Sequence, residues 1–313
     1  METIACNFCG NPGSYEVYTI PDYLLNRPQV TAQLVQCRKC GLIYQNPRPT
    51  LEEMAQHYPP EYDSYSLEGS SEGSWFARQG AAYGMRKRVT FVTRELSEGR
   101  LLDIGCATGV FLREMDRQTG WQVEGLEINE FAAAIAREKF QLEVFQGTLE
   151  EAAYPARHFE AVTMWDVLEH VHDPAATLAE IRRILKPGGV LVVRVPNYAS
   201  LDRRLFGRYW AGLDAPRHLF VFDPPILTNW LSANGFGVRG KTSRIGNYPT
   251  FVLSVRFWLV AQAKSPRIRN SILGVLNHPI ARLISIPLFF LTSLGLRGPL
   301  LVVTAVKERN GHD

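Results

Sequence analysis

Between residues 100 and 195 short apolar runs alternate with segments whose apolar residues recur every three to four positions. The runs predict strands at 100–104, 122–127, 143–146, 159–165 and 189–195, and the periodic segments predict helices at 109–119, 129–139, 147–153 and 174–185. A helix at 75–98 precedes this series. A helix at 224–234 and strands at 236–245 and 299–306 follow it. Strands alternating with helices imply a largely parallel sheet with helices on both faces.

The pattern divides the rest of the chain. Residues 1–58 form a cysteine-bearing module, 59–74 a linker rich in Pro, Ser, Gly and Glu, and 75–247 the α/β core; 299–313 supply a terminal strand and tail. Residues 248–298 interrupt the alternation with "FVLSVRFWLV" and "LISIPLFFLTSLGL". The second run holds 14 residues and contains Pro287. A membrane-spanning helix needs about 20 apolar residues. Two readings of this insertion stand, a buried helical addition and a face lying in a membrane interface.

Charge sharpens that choice. The net charge is +3, yet residues 224–307 carry ten Lys/Arg and no Asp or Glu. A stretch both basic and apolar suits an anionic membrane surface or an amphiphilic partner. The opening Met1–Gly10 is polar, which argues against a secretory leader, and five cysteines in 313 residues point to a reducing compartment. The expected location is cytoplasmic, peripheral at the inner face of the membrane.

The strand at 100–104 runs into "LLDIGCATGVFL" (101–112). Glycines at a strand-to-helix turn let the backbone approach a ligand and adopt conformations closed to other residues. The dinucleotide pattern needs a third glycine three residues after the second, and Leu112 stands there. Glu127 ends the next strand, 24 residues after Asp103. A carboxylate at that point can accept hydrogen bonds from both ribose hydroxyls, which argues for an adenosine-containing ligand. Gly147, Thr148 and Leu149, after the third strand, would lie beside the adenine.

With "EGLEIN", "DVLEHVHDP" and "LKPGGVLVV" in order behind that turn, residues 100–197 resemble the class I S-adenosylmethionine-dependent methyltransferases. The resemblance implies a doubly wound, Rossmann-like, seven-stranded α/β sheet and S-adenosylmethionine as cofactor. It implies that Asp103 and the turn Gly105, Cys106, Ala107 and Gly109 hold the methionine part, and that Glu127 and Ile128 hold the ribose side. Thr148 and Leu149 would border the adenine, and Trp165, Asp166 and Val167 would line the cofactor floor. Ala107 stands where many members have glycine, and Thr148 where an aspartate often meets the adenine amine.

Cys6-x-x-Cys9-Gly10 and Cys37-x-x-Cys40-Gly41 are two matched knuckles. Four thiolates at this spacing close a tetrahedral structural Zn²⁺ site with no position left for substrate. Disulfides or redox chemistry are the alternatives. A zinc ribbon of this kind would fold a module too small for a core of its own. Some ribosomal RNA guanine methyltransferases resemble this layout. Residues 1–60, however, carry four basic and five acidic side chains, which offers no surplus to phosphate.

Acceptor chemistry is expected after the fourth and fifth strands. Asp166, Glu169 and His170 fall at i, i+3 and i+4 and could share a helical face. A similar acid-x-x-Glu-His cluster in ubiquinone-pathway O-methyltransferases can hold a divalent metal, whereas a helix cap supporting the cofactor loop is the structural alternative. In "WAGLDAPRHLFVFDPP" (210–225) His218 is the candidate base for a hydroxyl proton, with His170 second. Arg217 there could bind an anionic group or form a surface salt bridge. Asp223-Pro224-Pro225 resembles the Asp-Pro-Pro-aromatic motif of amino-methyltransferases, but it follows the fifth strand and ends in Ile226. The expected activity is O-methylation of a small-molecule, sugar or lipid-linked glycan acceptor. A sugar C-methyltransferase and an rRNA/tRNA methyltransferase are the alternatives, with nucleic acid disfavoured.

Overall fold

The computed structural model describes residues 1–58, 75–262 and 264–308. The predicted linker 59–74 and the tail beyond 308 lie outside the described residues. In chain order the elements are β1 (Ser14–Asp22), β2 (Arg27–Cys37), β3 (Ile43–Gln45), α1 (Leu51–Met54), α2 (Trp75–Thr93), β4 (Gly99–Ile104), α3 (Val110–Asp116), β5 (Trp121–Glu127), α4 (Glu130–Phe140) and β6 (Glu143–Gln146). Then come α5 (Leu149–Ala152), β7 (Phe159–Trp165), α6 (Pro174–Ile184), β8 (Leu185–Pro196), α7 (Leu201–Phe206), β9 (Phe220–Val221), α8 (Pro224–Ala233) and β10 (Phe236–Thr242). Finally α9 (Asn247–Ala261), α10 (Pro266–Asn277) and α11 (Pro279–Thr292) precede β11 (Leu300–Lys307).

The seven predicted strands form one sheet in the order β10-β11-β8-β7-β4-β5-β6, with β11 antiparallel to both its neighbours and the other pairings parallel. The chain leaves β4 toward β5 and β6 on one side and returns to β7 on the other. That reversal opens a crevice at the strands' carboxyl ends, where ligands of such sheets bind. The helices start on local signals. Asp173 caps α6 by accepting from the amides of Ala175 and Ala176, Pro174 follows, and Thr177, Leu178, Ile181 and Ile184 present one buried stripe. Asp223 caps α8 in the same way, accepting from Ile226 at 2.8 Å, so the Asp-Pro-Pro stretch is a helix start.

The first 58 residues are joined to the core. β1, β2 and β3 form an antiparallel sheet whose fourth strand is β9, with Ile43 opposite Val221 and Tyr44 opposite Phe220. Cys6, Val35, Cys37, Leu42 and Tyr44 share one apolar cluster with residues of β7, β8 and α8.

The insertion is helical, as the pattern predicts, but only α9 is anchored, through buried Ser254, Phe257 and Leu259. Neither α10 nor α11 has a buried residue, so the reading of a buried addition does not hold for this pair. Leu283 is 67% exposed and Ile284 73%. Among the described residues no single helix is long and apolar enough to cross a membrane; α10 and α11, bent 67° to each other, meet that length and apolarity only together.

Candidate functional site

The carboxyl ends of β4 and β5 are tied together at the crevice. Gly105 and Cys106 donate their amides to the Leu126 carbonyl at 2.7 and 3.1 Å. The turn is left-handed at Gly105 (φ 69°), Ala107 (φ 47°) and Gly109 (φ 78°). A Cβ on Gly105 would meet Val167 at 2.5 Å. Ala107 occupies such a conformation with a Cβ, at a cost of about 1 kcal/mol. Cys106 is buried, and a Cβ on Gly125 would meet its sulfur at 2.7 Å. Its thiol therefore packs the sheet while its backbone shapes the turn.

Glu127 is buried and holds the turn closed. One carboxylate oxygen accepts from the Ala107 amide at 2.8 Å and the other from Asn129 at 2.9 Å. Each oxygen keeps a lone pair for a hydroxyl. Burial raises the Glu127 pKa, against these amides. Beneath the turn, Asp103 accepts from the Thr163 hydroxyl at 2.6 Å, and burial lifts its carboxyl to about 7. Ile128, beside Glu127, is 64% exposed, and Phe131 and Phe145 are also exposed on this side of the sheet. The sequence points to Ile128 but not to Phe131 or Phe145, although both phenylalanines lie within a few residues of a strand's carboxyl end.

Thr148 caps α5. Its hydroxyl oxygen accepts from the Glu151 amide at 3.3 Å, and its own amide donates to Glu151 at 2.7 Å. The hydroxyl that would meet an adenine amine is thus partly committed to the helix, and Leu149 is buried next to it. On the floor, Trp165 is buried with its indole N–H unpartnered, Phe111 edge-on at 5.2 Å, and Arg88 and Arg194 over its ring.

The members of the acid-x-x-Glu-His cluster take different partners. Asp166 is held by Arg194, whose Nε donates at 2.8 Å. Burial opposes its charge, but the guanidinium keeps Asp166 below the usual carboxylate range. Glu169, by contrast, is fully buried and neither carboxylate oxygen has a hydrogen-bond partner. Burial, with Asp166 nearby, raises its pKa far above normal. His170 and His218 complete the group: one ligand atom from each of Glu169, His170 and His218 lies within 4.8 Å of the others. His218, 49 residues away in sequence, joins Glu169 and His170 there, and Asp166 stands outside that group although its charge still raises the Glu169 pKa.

Both imidazoles are oriented by backbone carbonyls. Nδ1 of His218 lies 2.9 Å from the Gly212 carbonyl oxygen, and Nδ1 of His170 lies 3.0 Å from that of Arg217 and 2.8 Å from the Tyr58 hydroxyl. A carbonyl accepts only, so each Nδ1 carries the proton and each Nε2 the lone pair. Burial lowers both pKa values, that of His170 to about 3, and keeps the rings neutral.

Arg217 is neither a surface salt bridge nor a ligand for an external anion. It is fully buried and forks onto two carboxylates, Asp214 (3.0 and 2.7 Å) and Asp22 (3.1 and 2.7 Å). Asp22 ends β1, so this network fastens the N-terminal sheet to the His218 segment.

The four knuckle cysteines meet. Cys6 and Cys40 have their sulfurs 3.5 Å apart, as do Cys9 and Cys37. A disulfide bond measures about 2.05 Å, so none is formed. Four thiolates about 2.3 Å from one Zn²⁺ stand about 3.8 Å apart, which these separations approach. Burial opposes ionisation of Cys37, but the amides of Cys40 and Lys39 draw it down to about 6. The knuckle also braces the histidine loop: Asn7 donates to the His172 carbonyl at 3.3 Å and Arg48 to the same oxygen at 2.7 Å.

The seven-stranded sheet with this crevice has the fold of the class I S-adenosylmethionine-dependent methyltransferases. The sequence model of a family described as a methyltransferase domain matches residues 76–239, just over half of the chain, and the chain belongs to that family. Two curated relatives are both named ubiquinone biosynthesis O-methyltransferase. That of Rhodopseudomonas palustris (strain BisB18) is 33% identical over 162 residues, 49% of this chain and 63% of its own. That of Aromatoleum aromaticum (strain DSM 19018 / LMG 30748 / EbN1) is 37% identical over 110 residues, 33% of this chain and 47% of its own. This chain therefore covers less than two thirds of either relative. Among solved structures, the [4+2]-cyclase SpnF shares the fold at TM-score 0.54 and 21% identity, over 84% of this chain and 98% of that one.

Proposed function

We propose that this protein transfers a methyl group from S-adenosylmethionine to a hydroxyl of a small-molecule, sugar or lipid-linked acceptor. The observation that carries the reading is the neutral, carbonyl-oriented His218, whose Nε2 lone pair can take a hydroxyl proton beside the crevice. The names of the two relatives support oxygen as the acceptor atom. S-adenosylmethionine supplies an electrophilic methyl group at its sulfonium sulfur. Gly105 to Gly109 would seat the methionine part, Glu127 and Ile128 the ribose, Thr148 and Leu149 the adenine edge, and Trp165 to Val167 the floor. The acceptor oxygen bonds to the methyl carbon as the carbon–sulfur bond breaks, and its proton passes to Nε2 of His218. His170 packs edge-to-face on His218 and positions it.

A second reading of the same group rests on Glu169, whose two buried oxygens lack partners. Together with His170 and His218 it fits a divalent cation. Such a cation, when bound, acidifies a hydroxyl at that point, and the histidines serve as its ligands.

The four cysteines suit a structural Zn²⁺ that stiffens the support under the histidine loop. The exposed apolar faces of α10 and α11, in a stretch without acids, suit peripheral attachment to an anionic membrane. RNA is disfavoured by the absence of a positive surplus in residues 1–60.

Calorimetric titration with S-adenosylhomocysteine tests the central reading. Saturable binding by the wild type that weakens at least about tenfold in Glu127→Ala is expected. A folded wild type that does not bind overturns it.

A further inference from the structure

α9, α10 and α11 enclose a groove of about 480 Å³, within the usual range for small-molecule sites. Arg256, Arg269 and Arg282 line it, with Tyr248, Asn270 and Asn277 between them. Arg256 also donates to the Leu24 carbonyl at 3.4 Å, whereas the guanidinium groups of Arg269 and Arg282 stand in a stretch, residues 224–307, that contains no Asp or Glu. Among the described residues no ion pair engages Arg269 or Arg282. Arg282 donates to the Asn277 side chain at 3.0 Å and lies over the Tyr248 ring, while its Nε–H is buried without an acceptor. A cationic pocket with a donor left over is built for an anion that brings several acceptor oxygens.

The surroundings identify the source of that anion. On α11, Phe289 turns inward onto Tyr248 and Phe251, while Ile280, Leu283, Ile284, Leu288 and Leu291 face out. The groove is thus walled by the helix whose other faces are apolar and exposed. An apolar surface beside a cationic pocket matches the interface of an anionic bilayer, acyl chains against one and phosphates against the other. α9 also reaches the candidate site: Ser254 accepts from the Ala211 amide at 3.0 Å, next to the Gly212 whose carbonyl orients His218.

We propose that this groove binds the phosphate of an anionic lipid. The proposal rests on the membrane attachment read above and adds to it a specific headgroup site. The test separates the two. Calorimetry with dioctanoyl phosphatidic acid, held below its micelle concentration, reads the groove without a bilayer. Sedimentation with vesicles of phosphatidylcholine and phosphatidic acid reads attachment. Wild-type protein is expected to bind the soluble lipid saturably, with inorganic phosphate and dioctanoyl phosphatidylcholine at least tenfold weaker. Arg269→Gln and Arg282→Gln should each lower that affinity about tenfold, with unchanged melting temperature and S-adenosylhomocysteine binding. Ile284→Ser with Leu288→Ser should keep soluble-lipid binding and lose vesicle sedimentation. Soluble-lipid binding unaltered when Arg269→Gln and Arg282→Gln are combined in one variant, or no binding by the wild type, overturns the proposal even if vesicles still sediment the protein. Inorganic phosphate binding as tightly as the lipid also overturns it, in favour of a free-phosphate site.

Discussion

The rings of His170 and His218 meet edge to face with centroids 4.6 Å apart, beside a Glu169 carboxyl that has no hydrogen-bond partner. Each ring has its Nδ1 turned to a backbone carbonyl, and one nitrogen of each ring lies within 4.8 Å of the other and of a Glu169 oxygen. A proton acceptor and a cation site make different demands on these groups.

His218→Gln is expected to reduce turnover by about 10²–10⁴-fold while S-adenosylhomocysteine affinity stays within about twofold. An acceptor screen with labelled methyl donor checks this, and full activity in the variant removes His218 as the base. The cation reading has its own readout. Mg²⁺ or Mn²⁺ should raise the melting temperature of the wild type and leave Glu169→Gln unmoved. Equal stabilisation of both proteins would place the cation elsewhere.

Arg217 joins Asp22 and Asp214 with every partner buried. Arg217→Met should cost about 3–5 kcal/mol in urea unfolding, because two buried carboxylates lose their counter-charge. Adding Asp22→Asn to that variant should restore part of the loss. A single variant within about 1 kcal/mol of wild type would show that the network does not hold the N-terminal sheet.

If the four cysteines hold the Zn²⁺ proposed for them, its removal should loosen the histidine loop as well as the knuckle, since Asn7 and Arg48 both hold the His172 carbonyl. Purified protein is expected to release one Zn²⁺ per chain on thiol modification. Chelation or Cys40→Ser should lower the melting temperature. Four freely titrating thiols with no metal released, and stability indifferent to chelator, would exclude a structural site.

The buried histidines make stability depend on pH. The His170 imidazole titrates at about 3 in the fold and near 6.5 when unfolded. Below about pH 6.5 the unfolded chain binds the extra proton, so this residue's contribution falls as pH falls, until pH 3. Glu169 acts oppositely: its raised pKa means that the fold holds a proton the unfolded carboxyl has released, which favours the fold as pH drops toward the ordinary carboxylate range. The informative quantity is therefore a difference. In chelator-treated protein, the stability of wild type relative to His170→Gln should fall by up to about 1.4 kcal/mol per pH unit below pH 6.5. Urea curves at pH 7.0 and 5.5 would reveal a constant gap if His170 were not held neutral.

Local signals in the chain were enough to place the sheet and the glycine turn at its edge. "LLDIGCATG" turns because Gly105 and Gly109 take left-handed conformations, and Glu127 reaches the same place because parallel strands end on one edge. The cysteine pairs were legible for a similar reason: two residues between ligands and a glycine after them define a knuckle whatever the rest of the chain does. Those inferences need only periodicity, spacing and the direction of a strand.

The acceptor side depended on distant meetings. Asp166 was lost from the acidic cluster because Arg194, from the neighbouring strand, neutralises it, and His218 joined Glu169 from beyond that strand. Arg217 became a buried strut because Asp22 lies 195 residues before it, across a sheet that β3 and β9 close. The exposure of α11 likewise turned on what fails to pack on it, since an apolar sequence does not state which surface it will meet. The sequence by itself determined the elements, the glycine turn and the thiol knuckles, through conformational preferences acting over a few residues. Only the tertiary structure decided which charges are neutralised, which imidazoles are dry and which apolar face stays open, because burial and Coulomb pairing depend on neighbours brought together by the fold.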